Sequence, residues 1–193
     1  MTEQSPNDSI ANLSFKNGLL IAAVTVVLNV VLYIMDPTMQ FTSWWIGILV
    51  FILVIVLLVV LGIDIRKKIG GYWSFPDAFK SEVIMGAIIA VIGVTYNFII
   101  FKFVNPELPV KANNAMLESL TAQLSKSNMS EDKIDEYTKT FKNGEFIGKL
   151  QPTLSNELKS IVFALILYIV IALIIGACIK KKAPLYATPV DEN

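Results

Sequence analysis

The chain has 193 residues, of which 54% are hydrophobic and only 17% charged, and its formal net charge is zero. An ordinary globular chain carries about a quarter charged residues, so the composition argues against a soluble protein. The balance of 16 basic and 16 acidic side chains gives no global field to attract nucleic acid. One cysteine excludes an internal disulfide framework, and the absence of histidine removes the commonest general base and transition-metal ligand.

The apolar residues gather in four blocks, and a helix needs about 20 mainly apolar residues to cross a hydrocarbon core. Backbone polar groups find no water partner in lipid, and four strands cannot close a barrel, so each block is predicted to be helical. The first runs from Gly18 to Met35 and stops at Asp36-Pro37. It has Lys16 as its only positive flank, with Glu3 and Asp8 also ahead of it, and the segment after it lacks a small-x-small cleavage site. It therefore reads as a retained helix, with a cleaved signal peptide as the lesser alternative.

The second block, Trp44 to Ile63, contains the unbroken run ILVFILVIVLLVVLGI and is expected to face lipid. Its helix extends past the bilayer to Lys68 and is stopped by Gly70-Gly71, with its cations complementing the helix C-terminus. Asp64 lies four residues before Lys68, the spacing of an intrahelical pair. Ser74-Phe75-Pro76-Asp77 has the form of a capping box with an early proline. Phe75 and Phe79 can then seat a short interfacial helix, with Tyr72 and Trp73 as aromatic anchors. Glu82 is placed at the boundary where the third block, Val83 to Phe101, begins.

The segment 104–159 carries seven lysines and eight acids. Asn105-Pro106 and Pro109 are expected to end the third helix and turn the chain. Leu117, Leu120 and Leu124 recur at i, i+3 and i+7, an apolar stripe on one helical face. After Ser127-Asn128, Ser130 can cap a second helix that begins with Glu131 and Asp132 and is striped by Ile134, Tyr137 and Phe141. Gly144 ends it, and the stretch from Pro152 to Leu158 leads helically into the fourth block, Ser160 to Ile179, closed by Lys180-Lys181-Lys182 and Pro184. The fold class is thus all-α: a polytopic membrane protein with four transmembrane helices and an extracytoplasmic helical hairpin between the third and fourth.

Basic residues near helix ends set orientation. Arg66, Lys67, Lys68 and Lys80, with Lys16 and Lys180 to Lys182, fall on one side of an even number of crossings, whereas the loop from Asp36 to Ser43 has no basic residue. Lys102 runs against this trend and can snorkel outward. The expected layout is a cytoplasmic tail 1–17, transmembrane helices within 18–103 with a cytoplasmic elbow at 64–82, an extracytoplasmic segment 104–159, a transmembrane helix 160–179 and a cytoplasmic tail 180–193.

Lipid gives helices no hydrophobic reason to associate, so small and polar residues mark their contacts. Gly18, Ala22, Thr25 and Asn29 in the first helix match Gly86, Ala90, Gly93 and Asn97 in the third at the same intervals, which predicts close packing of the two. Ala172 and Gly176 give the fourth a weaker version. The asparagines can join in an interhelical hydrogen bond or line a polar path. Without histidine no Ser-His-Asp, Cys-His or HExxH site can form. Asp64 and Glu82 at boundaries do not make a buried diacid. No enzyme, cofactor or metal site is expected.

The elbow from Arg66-Lys67-Lys68 through Gly70-Gly71-Tyr72-Trp73-Ser74-Phe75-Pro76-Asp77-Ala78-Phe79-Lys80, the small-residue helix from Gly86, and Asn128-Met129-Ser130-Glu131-Asp132-Lys133-Ile134-Asp135 resemble a family of small four-helix membrane proteins of unknown function found mainly in Bacteroidota. Pro76 departs from that family's usual small residue. The resemblance implies four crossings and a bacterial inner-membrane location, and it carries over no functional site. Two functional readings follow, the first the leading one and the second its alternative. One is a non-enzymatic accessory or structural subunit acting through association, with a membrane or periplasmic protein or a second copy of itself on the stripes Leu117, Leu120, Leu124 and Ile134, Tyr137, Phe141. The other is a small channel or transporter subunit with a polar path near Asn29 and Asn97.

Overall fold

The computed structural model describes residues 6–127 and 129–182, with the side chains of 6–9 left aside. Expectations resting on Glu3, Asn128, Pro184 and the side chain of Asp8 lie outside the described residues. The elements are α1 (Pro6–Met35), α2 (Met39–Thr42), α3 (Trp44–Lys68), α4 (Phe75–Ile99, continued by a π-helical turn Ile100–Val104), α5 (Leu108–Lys126), α6 (Glu131–Lys142), α7 (Glu145–Leu150) and α8 (Leu154–Ile179). Four helical stretches, Ile10–Met35, Trp44–Lys68, Phe75–Val104 and Leu154–Ile179, are long and apolar enough to cross a membrane.

Three of these helices begin well before their apolar blocks. Nothing in the polar lead-ins breaks a helix, and the early prolines Pro6 and Pro76 sit in first turns, where no backbone N–H is required. Apolar length therefore measures the bilayer and not the helix. The short helices α2 and α7 are not foreshadowed by any apolar period. Pro109 does not end the third crossing; it stands in the first turn of α5.

The elbow carries its expected signals. Lys68 pairs with Asp64 at 2.6 Å. Gly70 and Gly71 take φ values of +108° and +85°, and the Gly71 N–H donates to the Arg66 carbonyl at 2.9 Å, closing the end of α3. Ser74 and Asp77 bond through their side chains, and the Asp77 N–H donates to Ser74 Oγ at 3.3 Å. Two expectations are corrected. No separate interfacial helix forms, because α4 runs unbroken from Phe75, although the Phe75 and Phe79 rings do stack at 6.1 Å. Trp73 is not a surface anchor: it is 2% exposed, and its backbone pairs with Lys181 in both directions at 2.7 and 3.0 Å.

The chain divides into two compact units. The first comprises residues 1–22, 54–90 and 164–193. Its core holds Ile21, Leu58, Ile65, Ala78, Met85, Ala172 and Ile175, all buried. Small residues let backbones approach: a Cβ at Gly18 would stand 3.1 Å from Met85 Cα, and one at Gly176 would stand 3.2 Å from the Phe79 nitrogen. α1 therefore does pack on α4 through Gly18, with Ala22 and Ala90 buried. Gly86 does not share that role. A Cβ there would lie 2.7 to 2.9 Å from Tyr168 atoms, so Gly86 receives the aromatic side chain of α8. Ser14 and Ser81 join α1 and α4 by a 2.6 Å hydrogen bond. Glu82, expected at a membrane boundary, is buried among the helices of this unit, with 2% of its surface exposed.

This arrangement predicts an asymmetric response to two substitutions. Gly86→Leu forces a branched side chain into Tyr168 and is expected to cost about 1–3 kcal/mol, the usual penalty of overpacking. Gly93→Leu, which meets nothing within 4 Å, is expected to be near neutral. Unfolding titrations in mixed micelles would show both, and equal costs would contradict the packing.

The second unit comprises residues 23–53 and 91–163. Ile100, Phe101 and Leu108 form its core, with Tyr33, Phe41, Tyr96 and Leu150 packed against them. Within it α5 packs on α6, and Asn113 Nδ2 donates to the Phe141 carbonyl at 3.3 Å. Ser130 stands at the N-cap of α6 without a side-chain cap bond. Gly144, at φ +79°, separates α6 from α7.

Candidate functional site: a polar cavity in the second unit

The asparagines of the two small-residue stripes do not bond to each other. Asn29, on α1, donates from Nδ2 to the Thr25 carbonyl at 2.8 Å, the i−4 back-bond open to a polar side chain inside a helix. Asn97, on α4, is exposed. Both line one cavity of about 370 Å³. Gly93, between them in register, has open space around it, so the helices there are not in small-residue contact.

The remaining polar lining comes from residues that neither stripe nor motif marked. Gln40 reaches the cavity from α2 and Lys149 from α7, while Asn156, Glu157 and Ser160 arrive from the first turns of α8. Asn156 is fixed in place: its Nδ2 donates to the Gly148 and Gln151 carbonyls at 2.8 and 2.9 Å, and its N–H donates to Thr153 Oγ1 at 3.3 Å. That network turns the α7–α8 connection into a firm rim. Apolar walls are supplied by Leu32, Phe41, Ile46, Val94 and Phe101.

Two opposite charges therefore border one cavity. The ion pairs among the described residues join Lys68 to Asp64, Lys111 to Glu107 and Lys142 to Asp135, and Lys149 and Glu157 do not join each other. The volume falls in the usual range for small-molecule sites, and a few polar groups converging among apolar walls is their usual lining. The site offers binding groups: amides, a hydroxyl, an ammonium and a carboxyl. Asn156 and Ser160 are i and i+4, and a polar pair on one face at the start of an apolar helix was the signal available in the sequence. Lys149 and Gln40 gave none.

A second, mostly apolar hollow of about 360 Å³ shares Val94 and Glu157 and is bordered by Lys102. Lys102 lies over the Phe98 and Phe103 rings at 4.8 and 5.7 Å.

The predicted docking stripes are placed differently. Leu117, Leu120, Leu124, Ile134 and Phe141 are half-buried, and Tyr137 is 59% exposed. By contrast, large apolar residues stand open along the crossing helices, Val27 at 63% and Phe163 at 71% among them, as lipid contact requires.

These features define an all-helical protein of four membrane-length helices with a polar cavity in one of its compact units. The chain belongs to the DUF4199 family of proteins of unknown function, whose model matches residues 16–181. No curated protein and no solved structure matches it.

Proposed function

We propose that this chain is a non-enzymatic multi-pass membrane protein that takes a small zwitterionic solute into the cavity of its second unit, as the binding component of a channel or transporter. The observation that carries the reading is the meeting of Asn29 and Asn97 with the unpaired charges Lys149 and Glu157 on one cavity of about 370 Å³. Separated opposite charges complement a solute that bears both signs, and amides donate to and accept from its carboxylate and amine. The basic elbow Arg66–Lys80 and Lys180–Lys182 place themselves in the cytoplasm by the positive-inside rule, with both termini there and 104–159 outside a bacterial inner membrane.

The test is water access. In a Cys178→Ser background, which removes the single native thiol, Asn97→Cys is expected to react with a membrane-impermeant charged thiol reagent, and Val91→Cys, exposed on the same helix, to stay unlabelled in lipid. Protection of Asn97→Cys by amino acids, with none from sugars or simple anions, supports the solute class. An unreactive Asn97→Cys means a dry cavity and ends the reading.

One observation favours the association reading as a second. Tyr137 stands open on α6 amid a stripe otherwise covered by its own hairpin, and aromatic residues are enriched at binding surfaces. A protein partner or second copy reproducibly cross-linked beside Tyr137, together with an unreactive Asn97→Cys, would move the function there.

A further inference from the structure

Glu82 is the only buried acid among the described residues, and neither of its carboxyl oxygens has a hydrogen-bond partner there. Its place is made by a glycine on the neighbouring helix. A Cβ at Gly62 of α3 would overlap Glu82 Oε1 and stand 2.8 Å from Ile179 Cδ1 on α8. The hydroxyls closest in the chain are occupied: Ser81 bonds Ser14 at 2.6 Å, and Ser14 donates to the Ile10 carbonyl at 2.7 Å.

The charged and titratable groups on the helices around this carboxyl each have another partner or contact nearby, or lie exposed. From α3 comes Arg66, one helical turn beyond Gly62, whose Nη1 donates to the Ile179 carbonyl at 2.6 Å; Asp64 on that helix is held by Lys68. From α8 come Tyr168, packed on Gly86 one turn from Glu82, and Lys180, which lies 5.9 Å over the Phe75 ring. Lys181, after α8, lies over Tyr72. α1 offers the Ser14 hydroxyl and the Asn17 amide, which donates to the Leu61 carbonyl at 3.4 Å. On α4 itself Lys80 is exposed.

An unpartnered carboxyl sealed in apolar surroundings needs an occupant for its oxygens. A calcium or magnesium ion asks for about six or more oxygen ligands and zinc for about four ligands, and this carboxyl supplies two oxygens. No group of three or more His, Cys, Asp or Glu exists among the described residues. A proton needs one oxygen. We propose that Glu82 is an exchangeable proton site within the membrane-spanning part of the first unit. The proton is held on a carboxyl oxygen in the Gly62 niche and passes to water only when the carboxyl swings out of the niche. The carboxylate then turns to Arg66, which gives up the Ile179 carbonyl to receive it. Because that Arg66 bond ties α3 to the last turn of α8, protonation of Glu82 is linked to how the two helix ends are held. Ionisable groups inside membrane spans commonly mark proton paths, and Arg66 is the named counter-charge. This site is built only from the first unit and does not rest on the solute cavity.

Infrared difference spectra of the full-length protein in lipid nanodiscs, titrated from about pH 5 to pH 10, test it. The carbonyl stretch of a protonated carboxylic acid is expected to come and go with pH in the native protein and to be missing in Glu82→Gln. A pH-dependent band that survives Glu82→Gln, or the absence of any such band, overturns the proposal. Should Glu82→Gln not fold, the native protein decides alone. A hydrophobic carbodiimide, which reacts with protonated carboxyls in apolar surroundings, is expected to modify Glu82 with a yield that changes with pH, read by mass spectrometry. No adduct at Glu82 at any pH overturns the assignment.

Discussion

Glu157→Gln and Lys149→Met are each expected to weaken binding of a zwitterionic amino acid by about 10- to 100-fold, since a charge-assisted hydrogen bond is worth about 1.5–3 kcal/mol. Both side chains border the cavity and neither is neutralised by the other. Each therefore has its full charge to offer a solute, with no internal pair to break. Glu157→Gln keeps the shape of the side chain and removes its charge, and Lys149→Met removes the ammonium while keeping an unbranched stem one atom shorter, so the cavity changes little in volume. The measurement is equilibrium binding of a radiolabelled amino acid panel in nanodiscs, with a folding check by unfolding titration. A drop confined to one charge would mean a solute of one sign. Unchanged affinity in both variants would show that the cavity binds through its amides or binds nothing.

The two asparagines show how much of this site the sequence carries. Equal spacing along α1 and α4 matches Asn29 with Asn97, and both line one cavity. What spacing does not convey is separation. Gly86 looks equivalent to Gly18 in the sequence, yet it accepts Tyr168 of α8, and Gly93 accepts nothing. A small residue announces that something comes close but not which helix brings it. The polar lining from α7 and α8 is less legible still. Lys149 and Glu157 sit in a segment of ordinary polarity, where charge is expected on solvent grounds alone, and only the Asn156 network turns them toward a common hollow. The four membrane-length helices were plain because an apolar run of that length in lipid has no alternative to a helix. Trp73 was misplaced because hydropathy sends an aromatic residue beside an apolar block to the membrane surface and does not register the backbone pairing with Lys181 that goes with its burial. The burial of Glu82 was illegible because the apolar block begins after it, whereas α4 starts seven residues before it.

The niche around Glu82 makes the sharpest packing prediction. Gly62→Ala adds one methyl where Glu82 Oε1 and Ile179 Cδ1 already lie, and is expected to destabilise the protein by about 1–3 kcal/mol. The methyl cannot be accommodated by the end of a free side chain, because Glu82 is enclosed and Ile179 is 3% exposed. In a Glu82→Ala background the same substitution is expected to cost less, since the carboxyl that it would strike is gone and only Ile179 Cδ1 remains in its way. The difference is a coupling energy of about 0.5–3 kcal/mol, the range for residues in direct contact. Unfolding titrations of the four proteins of the cycle in one micelle composition give the number. A Gly62→Ala cost that is the same in both backgrounds would place the carboxyl elsewhere and remove the niche. A coupling that changes with pH would tie the packing of α3 and α8 to the proton on Glu82, because the carboxyl presses on Gly62 only while it stays in the niche and is clear of it once turned toward Arg66.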